Sequence, residues 1–78
     1  MDYIEQERIQ QIIDKITHTI GGNEIRYLKL KGDQQGPYII GDLKYPHSEN
    51  WNLFQLWHVD GQWNTTLRTT NENDLQIN

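Results

Sequence analysis

The chain has no cysteine among its 78 residues, and it has neither a long apolar run nor an excess of positive charge. Without cysteine, neither a disulfide framework nor a thiolate metal site can form, so packing alone has to hold the fold together. No apolar run approaches the roughly 18 residues that cross a bilayer. The acidic N-terminal segment also lacks the basic and then apolar pattern of a signal peptide. We therefore expect a cytoplasmic protein, or one that acts in the cytoplasm of a host cell.

The balance of charge is acidic, with 11 Asp and Glu against 7 Lys and Arg and a formal net charge of -4 at pH 7. A protein that binds duplex DNA needs a basic face that releases counterions, so this balance disfavours that class. The length lies near the size at which one core barely outweighs the entropy of the chain. We expect a single domain over residues 1–78, with no room for a separate catalytic domain.

Isoleucines recur near the N-terminus at the spacing of one helical face. The set is Ile9, Ile12, Ile13, Ile16 and Ile20. Asp2 followed by Glu5 resembles a capping box, and the pair at positions 21–22 supplies glycine for a left-handed C-terminal residue. This pattern predicts an amphipathic helix over about residues 3–20, with its polar face in water.

Two short apolar runs flank the loop at residues 32–37 and predict a first hairpin over about residues 25–44. If Lys31 pairs with Tyr38, the face toward the helix carries Arg26, Leu28, Leu30, Ile39, Gly41 and Leu43. The other face then carries Ile25, Tyr27, Lys29, Lys31, Tyr38, Ile40 and Asp42. A slip of one residue in the loop would exchange the faces, so this register stays open.

The Asp60-Gly61 pair lies between two alternating runs and predicts a second hairpin over about residues 53–70, closed by a type I′ turn. In that register His58 lies opposite Trp63. The core face would carry Phe54, Leu56, His58, Trp63, Thr65 and Leu67. The outer face would carry Leu53, Gln55, Trp57, Val59, Asn64, Thr66 and Arg68.

The expected architecture is α+β, with one N-terminal amphipathic helix packed on a four-stranded antiparallel β-meander made of two hairpins. Residues 45–52 connect the hairpins, and residues 71–78 form a polar tail in which Leu75 and Ile77 alternate well enough to add a short edge strand. The Trp-x-x-Asp-Gly-x-Trp pattern at residues 57–63 resembles the closing hairpin of nuclear-transport-factor-2-like and cystatin-like domains. We carry no functional residue over from that resemblance.

No catalytic or metal-binding set is visible. His18, His47 and His58 are the only side chains that could act as a base near neutral pH, and the only serine, Ser48, lies in no nucleophile motif. The acidic residues are scattered singly, so neither an acid and base pair nor three convergent metal donors can be assigned. The glycine-containing loop at residues 32–36 lacks the Gly-Lys-Ser/Thr ending of a phosphate loop. We expect no enzyme activity, no cofactor and no metal.

The sheet face away from the helix is the predicted binding surface. Its candidate partner-binding residues are Trp57, Arg68, Tyr38, Tyr27, Lys29, Lys31 and Val59. Monomers seldom expose so much contiguous apolar area, and Trp57 beside Arg68 would be its central anchor. Tyrosines and tryptophan interleaved with basic residues could also stack single-stranded bases, although the net acidity disfavours this.

The expected function is therefore binding. We expect a small non-enzymatic protein that occupies the surface of a partner protein, since a short, acidic, cysteine-free chain is typical of phage or mobile-element inhibitors of host defence enzymes. Two alternatives stay open. The first is a role as a homo-oligomer, for example a homodimer, or as an obligate small subunit. The second is binding of single-stranded nucleic acid or nucleotide through the aromatic sheet face. No membrane partner is expected.

Overall fold

The structure is a computed structural model that describes residues 2–33, 36–63 and 71–77. The described residues form one helix, α1 (Tyr3–Ile13), and three strands, β1 (Glu24–Asp33), β2 (Gly36–Lys44) and β3 (Asn52–Trp57). The strands make one antiparallel sheet in the order β1, β2, β3, and α1 packs beside β1.

The α+β class, with a helix on an antiparallel sheet, is confirmed. The prediction of four strands is wrong for the described part of the chain, which contains three. The fourth strand is expected beyond the Asp60-Gly61 turn, and residues 64–70 of that segment lie outside the described residues. Before that gap, Trp63 forms an isolated antiparallel bridge with Trp57.

The start of α1 follows the sequence, but its end comes seven residues early, at Ile13 and not at Ile20. Asp2 is the N-cap, because its Oδ1 accepts the Glu5 N–H at 2.8 Å. After Ile13 the Lys15 N–H donates to the Ile12 carbonyl at 3.2 Å, which is a tightened last turn. The segment that follows is rich in β-branched residues, which fit a strand better than a helix. The chain accordingly leaves the helix and pairs with the start of β1.

Two hairpin loops in this protein share one geometry, a tight turn followed by a left-handed glycine. In one, the His58 N–H donates to the Gln62 carbonyl (2.8 Å), the Gly61 N–H donates to the His58 carbonyl (2.9 Å), and Gly61 has φ +99°. In the other, Thr19 pairs with Asn23 in the same way, and Gly22 has φ +91°. Each loop has three residues. The predicted type I′ turn is wrong, because it requires positive φ at Asp60 as well as at Gly61.

The C-terminal segment, residues 71–77, is held between these two loops. The Ile20 N–H donates to the Asp74 carbonyl (2.9 Å), and the Gly21 N–H donates to the Glu72 carbonyl (2.9 Å). On the other side, the Leu75 N–H donates to the carbonyl of Gly61 at 2.7 Å. These backbone bonds order a tail that composition alone marks as polar.

The core contains residues from the helix, the sheet and the tail. Its buried hydrophobic members are Ile9, Ile13, Ile25, Leu28, Ile39, Leu43, Trp57, Leu75 and Ile77. Ile12 and Ile16 pack partly against this cluster, as the helical spacing predicts, whereas Ile20 is exposed because the helix has already ended.

β1 is an edge strand, and the Gln10 side chain of α1 covers its outer edge. The Leu30 N–H donates to Oε1 of Gln10 at 3.0 Å, and Nε2 of Gln10 lies 3.5 Å from the Leu28 carbonyl. The Gln10 amide thus stands where the backbone of a further strand would pair. This arrangement protects the edge from pairing with another chain.

Candidate docking surface

Trp57, the predicted anchor of the open sheet face, lies in the core with 1% of its surface exposed. It pairs with Ile39 across β2 and β3, and cross-strand partners point to the same face of a sheet. Its indole Nε1 donates to the Asn73 carbonyl at 2.6 Å, which supplies the polar partner that a buried tryptophan needs. The prediction that Trp57 lies on the open face is therefore wrong.

Two features of β3 depart from the predicted hairpin. The three-residue loop moves the pairing by one position, so Trp63 bridges Trp57 and not His58. In addition, the pairing shifts between the Gly41–Gln55 and Leu43–Asn52 pairs, so two residues of β3 lie opposite one of β2. These two residues of β3 are Leu53 and Phe54, and the one residue of β2 is Asp42. Such a β-bulge interrupts the alternation of side chains on which the prediction depends.

β1 and β3 each contain a bulge opposite the middle of β2, and at each bulge an aromatic side chain points into solvent. In β1, the pairing shifts between Arg26 and Lys29, and Tyr27 is the displaced aromatic residue. Tyr27 has φ +58° and is 74% exposed, while Phe54 has φ +59° and is 73% exposed. Bulky L-residues rarely adopt this left-handed conformation, and each such residue costs about 1–3 kcal/mol. The backbone is therefore strained at two positions whose aromatic rings are exposed to water.

Gly41 and Asp42 of β2 make room for these bulges and tie them together. A Cβ on Gly41 would lie 2.6 Å from Cδ2 of Leu28 and 3.1 Å from the Arg26 carbonyl oxygen, so glycine lets the bulged part of β1 pack closely here. The buried Asp42 carboxylate reaches both neighbouring strands: Oδ2 accepts from Nε of Arg26 (3.0 Å), and Oδ1 accepts from the Phe54 N–H (3.4 Å). One carboxylate thus joins all three strands at the bulges.

Arg26 extends the aromatic surface beyond the bulges. Its guanidinium carbon lies 4.1 Å from the centre of the Trp51 ring and 5.0 Å from the centre of the Tyr27 ring. These are cation–π distances, and the Asp42 carboxylate fixes the same guanidinium from the other side. The prediction places Arg26 toward the helix, and the bulge at Tyr27 explains the error, because it turns Ile25 inward and Arg26 outward.

Tyr27 and Phe54 line one open groove of about 300 Å³, which we call the aromatic groove. Its other lining residues are Lys29, Lys31, Ile40, Gly41, Asp42 and Leu53. In the described residues the Asp42 charge is balanced by Arg26, whereas Lys29 and Lys31 form no ion pair. The aromatic groove of this acidic protein is therefore an apolar concavity with a positive rim.

Apart from Trp57, the predicted site residues have four different outcomes. Tyr27, Lys29 and Lys31 line the aromatic groove. Tyr38 lies opposite Lys31 on the same sheet face but outside the groove lining, and Val59 packs against the core. Arg68 lies outside the described residues.

Sequence reasoning placed Leu53 on the outer face but missed Phe54, Arg26 and Trp51. A signal for the bulges was present in both strands. The run Leu53-Phe54-Gln55-Leu56-Trp57 has two apolar pairs, and Ile25 and Leu28 stand three positions apart, so neither run fits strict alternation. The Leu53-Phe54 pair and the spacing of Ile25 and Leu28 coincide with the two bulges.

The histidines and carboxylates of the described residues do not converge on one place. They contain no group of three or more His, Asp or Glu side chains that could hold a metal ion. His18, His47 and His58 are exposed and lie on separate segments, and the predicted core position of His58 is wrong. No described helix has the length and apolar character needed to cross a membrane. What the site offers is an apolar, partly positive surface.

Comparisons of the chain with protein-family models, with curated proteins and with solved structures find no match. The resemblance of residues 57–63 to the hairpin of known domains consequently supports no assignment.

Proposed function

We propose that this protein is a non-enzymatic binding module that docks a protein surface in its aromatic groove. The central observation is the pair of exposed aromatic rings, Tyr27 and Phe54, held at positive φ on the two strands that flank β2. Strained residues persist where the surrounding structure imposes them, and they cluster at functional sites. Bulges that re-aim a side chain have the same distribution.

The shape and chemistry of the groove favour a protein over a nucleic acid. Aliphatic side chains, Leu53 and Ile40, line it together with the rings, and aromatic anchors in an apolar centre with a charged rim are typical of protein interfaces. A single strand of nucleic acid needs a basic path along its phosphates. This groove has Lys29 and Lys31 in a chain of net charge -4. Inhibition of a host defence enzyme stays a prediction, because no described feature bears on it.

The experiment is a capture with three tagged baits: the wild-type chain, Phe54→Ser and Ile20→Ser. The baits are incubated with a lysate of the source cells. Untagged copies of this chain are added to the lysate so that capture of a second copy can also be detected. Phe54→Ser removes one ring from the groove, and the matched control Ile20→Ser removes an exposed isoleucine on the loop that precedes β1. Proteins that dock in the groove should be retained by the wild type and the control and reduced at least about tenfold on Phe54→Ser, since an anchor residue contributes 2 kcal/mol or more.

Three results would contradict this proposal. The first is an identical set of captured proteins on all three baits, and the second is no captured protein on the wild type. The third is a signal that disappears after nuclease treatment, which would assign the groove to nucleic acid.

A further inference from the structure

A second exposed apolar surface lies at the start of α1. Tyr3 is 72% exposed and Ile4 is 79% exposed, although each is a large apolar side chain. Acidic residues surround them, and Tyr3 Oη donates to Oε1 of Glu7 at 3.3 Å. We call Asp2, Tyr3, Ile4, Glu5 and Glu7 the N-terminal patch.

The N-terminal patch keeps a negative charge. Glu5 is paired with the Arg8 guanidinium, whose hydrogen bond holds the pKa of that carboxyl below its usual value. In the described residues, the carboxylates of Asp2 and Glu7 form no ion pair with a basic side chain. The patch therefore combines two exposed apolar side chains with two carboxylates that form no ion pair with a described basic side chain.

This chemistry is the complement of the aromatic groove. The groove has exposed rings and two lysines, the patch has an exposed ring, an isoleucine and two carboxylates, and none of these four charges has an ion-pair partner among the described residues. Within one copy, no described ion pair joins the two surfaces, since α1 packs on the core face of the sheet and the groove is on the other face. A second copy of the chain can supply the missing surface.

We propose that the aromatic groove of one copy docks the N-terminal patch of a second copy, with Ile4 and Tyr3 against the groove rings and Glu7 near Lys29 and Lys31. This inference rests on the proposed function and names one occupant for the same groove. The contact joins two different surfaces, so it is heterologous, and the dimer keeps a free patch on one copy and a free groove on the other. Association then grows with concentration beyond the dimer unless the rotation between copies closes a ring.

The test uses two variants that each lack one half of the contact. Phe54→Ser damages the groove, and Ile4→Ser damages the patch; both side chains are exposed, so both variants should fold. Mass is measured by sedimentation equilibrium from micromolar to millimolar concentration. The wild-type mass should rise with concentration, while each variant alone should associate at least about tenfold more weakly. An equal mixture should regain association but stop at a one-to-one dimer, because only one intact contact can form.

Charge reversal gives an independent arm. Lys29→Glu with Lys31→Glu changes two exposed side chains and should weaken self-association at least about tenfold, and added Glu7→Lys should restore part of it. A wild-type chain that stays monomeric at millimolar concentration overturns the inference. So does a mixture of Phe54→Ser and Ile4→Ser that stays monomeric while the wild type associates. If the wild type is monomeric yet still captures other proteins in a manner that depends on Phe54, self-docking fails and the proposed function stands.

Discussion

Trp57→Ala should lower the free energy of unfolding by about 3–5 kcal/mol, which is the cost of removing a large aromatic side chain from a packed core. Trp57 is the largest fully buried side chain in the described residues. Its indole also donates to the Asn73 carbonyl, so the truncation leaves a buried acceptor without its partner. A small domain has only about 5–15 kcal/mol in total, so urea denaturation should show a large shift of the midpoint.

Trp51→Ala is the matched control for this substitution. Trp51 is half-buried and stacks on Arg26 at the surface, so its removal should cost no more than about 1 kcal/mol. Trp57→Phe separates packing from hydrogen bonding, because it keeps a ring and loses the indole donor. Equal losses for Trp57→Ala and Trp51→Ala would contradict the placement of Trp57 in the core.

Gly61→Ala should cost about 2–5 kcal/mol for two separate reasons. Gly61 has φ +99°, where an alanine is strained. A Cβ there would also clash with the Leu75 carbonyl oxygen, so the tail at residues 71–77 would have to move. That movement would break the 2.7 Å bond from the Leu75 N–H to the Gly61 carbonyl.

Gly22→Ala isolates the first of these two costs. Gly22 occupies the same position in the other three-residue loop, with φ +91° and no atom within 4 Å of its Cβ position. It should cost only about 1–2 kcal/mol, the strain of one left-handed alanine. The difference between the two variants in urea denaturation measures the docking of the tail. If both variants lose the same amount, the tail does not pack against Gly61.

The local signals in the sequence predicted several elements correctly. The Asp2 cap, the isoleucine face of α1 and the pairing of Lys31 with Tyr38 are confirmed. Each depends on neighbours in the chain or on one short loop, and such interactions are visible in a single sequence.

The site could be predicted only in part, because it depends on two bulges. The alternation of β1 predicted exposure of Tyr27, Lys29 and Lys31 correctly, since these lie at or after the bulge in that strand. In β3 the predicted face of Trp57 was wrong, because Trp57 pairs with Ile39 and lies in the core, while Phe54 is exposed. The choice of face there is a tertiary matter, decided by Ile39 across the sheet and by the Asn73 carbonyl of the tail. Local propensity contains neither contact.

The central claim is that Tyr27 and Phe54 are exposed at a cost to the fold, for the sake of a surface that binds. The free energy of unfolding of Tyr27→Gly with Phe54→Gly tests it most directly, because glycine adopts positive φ without strain while its freedom in the unfolded chain offsets part of the gain. The account predicts that the free energy of unfolding of the double variant, measured in urea, equals that of the wild type or exceeds it by up to about 1 kcal/mol per site. A loss of more than about 2 kcal/mol would show that the two rings stabilise the fold, and it would contradict their assignment to a docking surface.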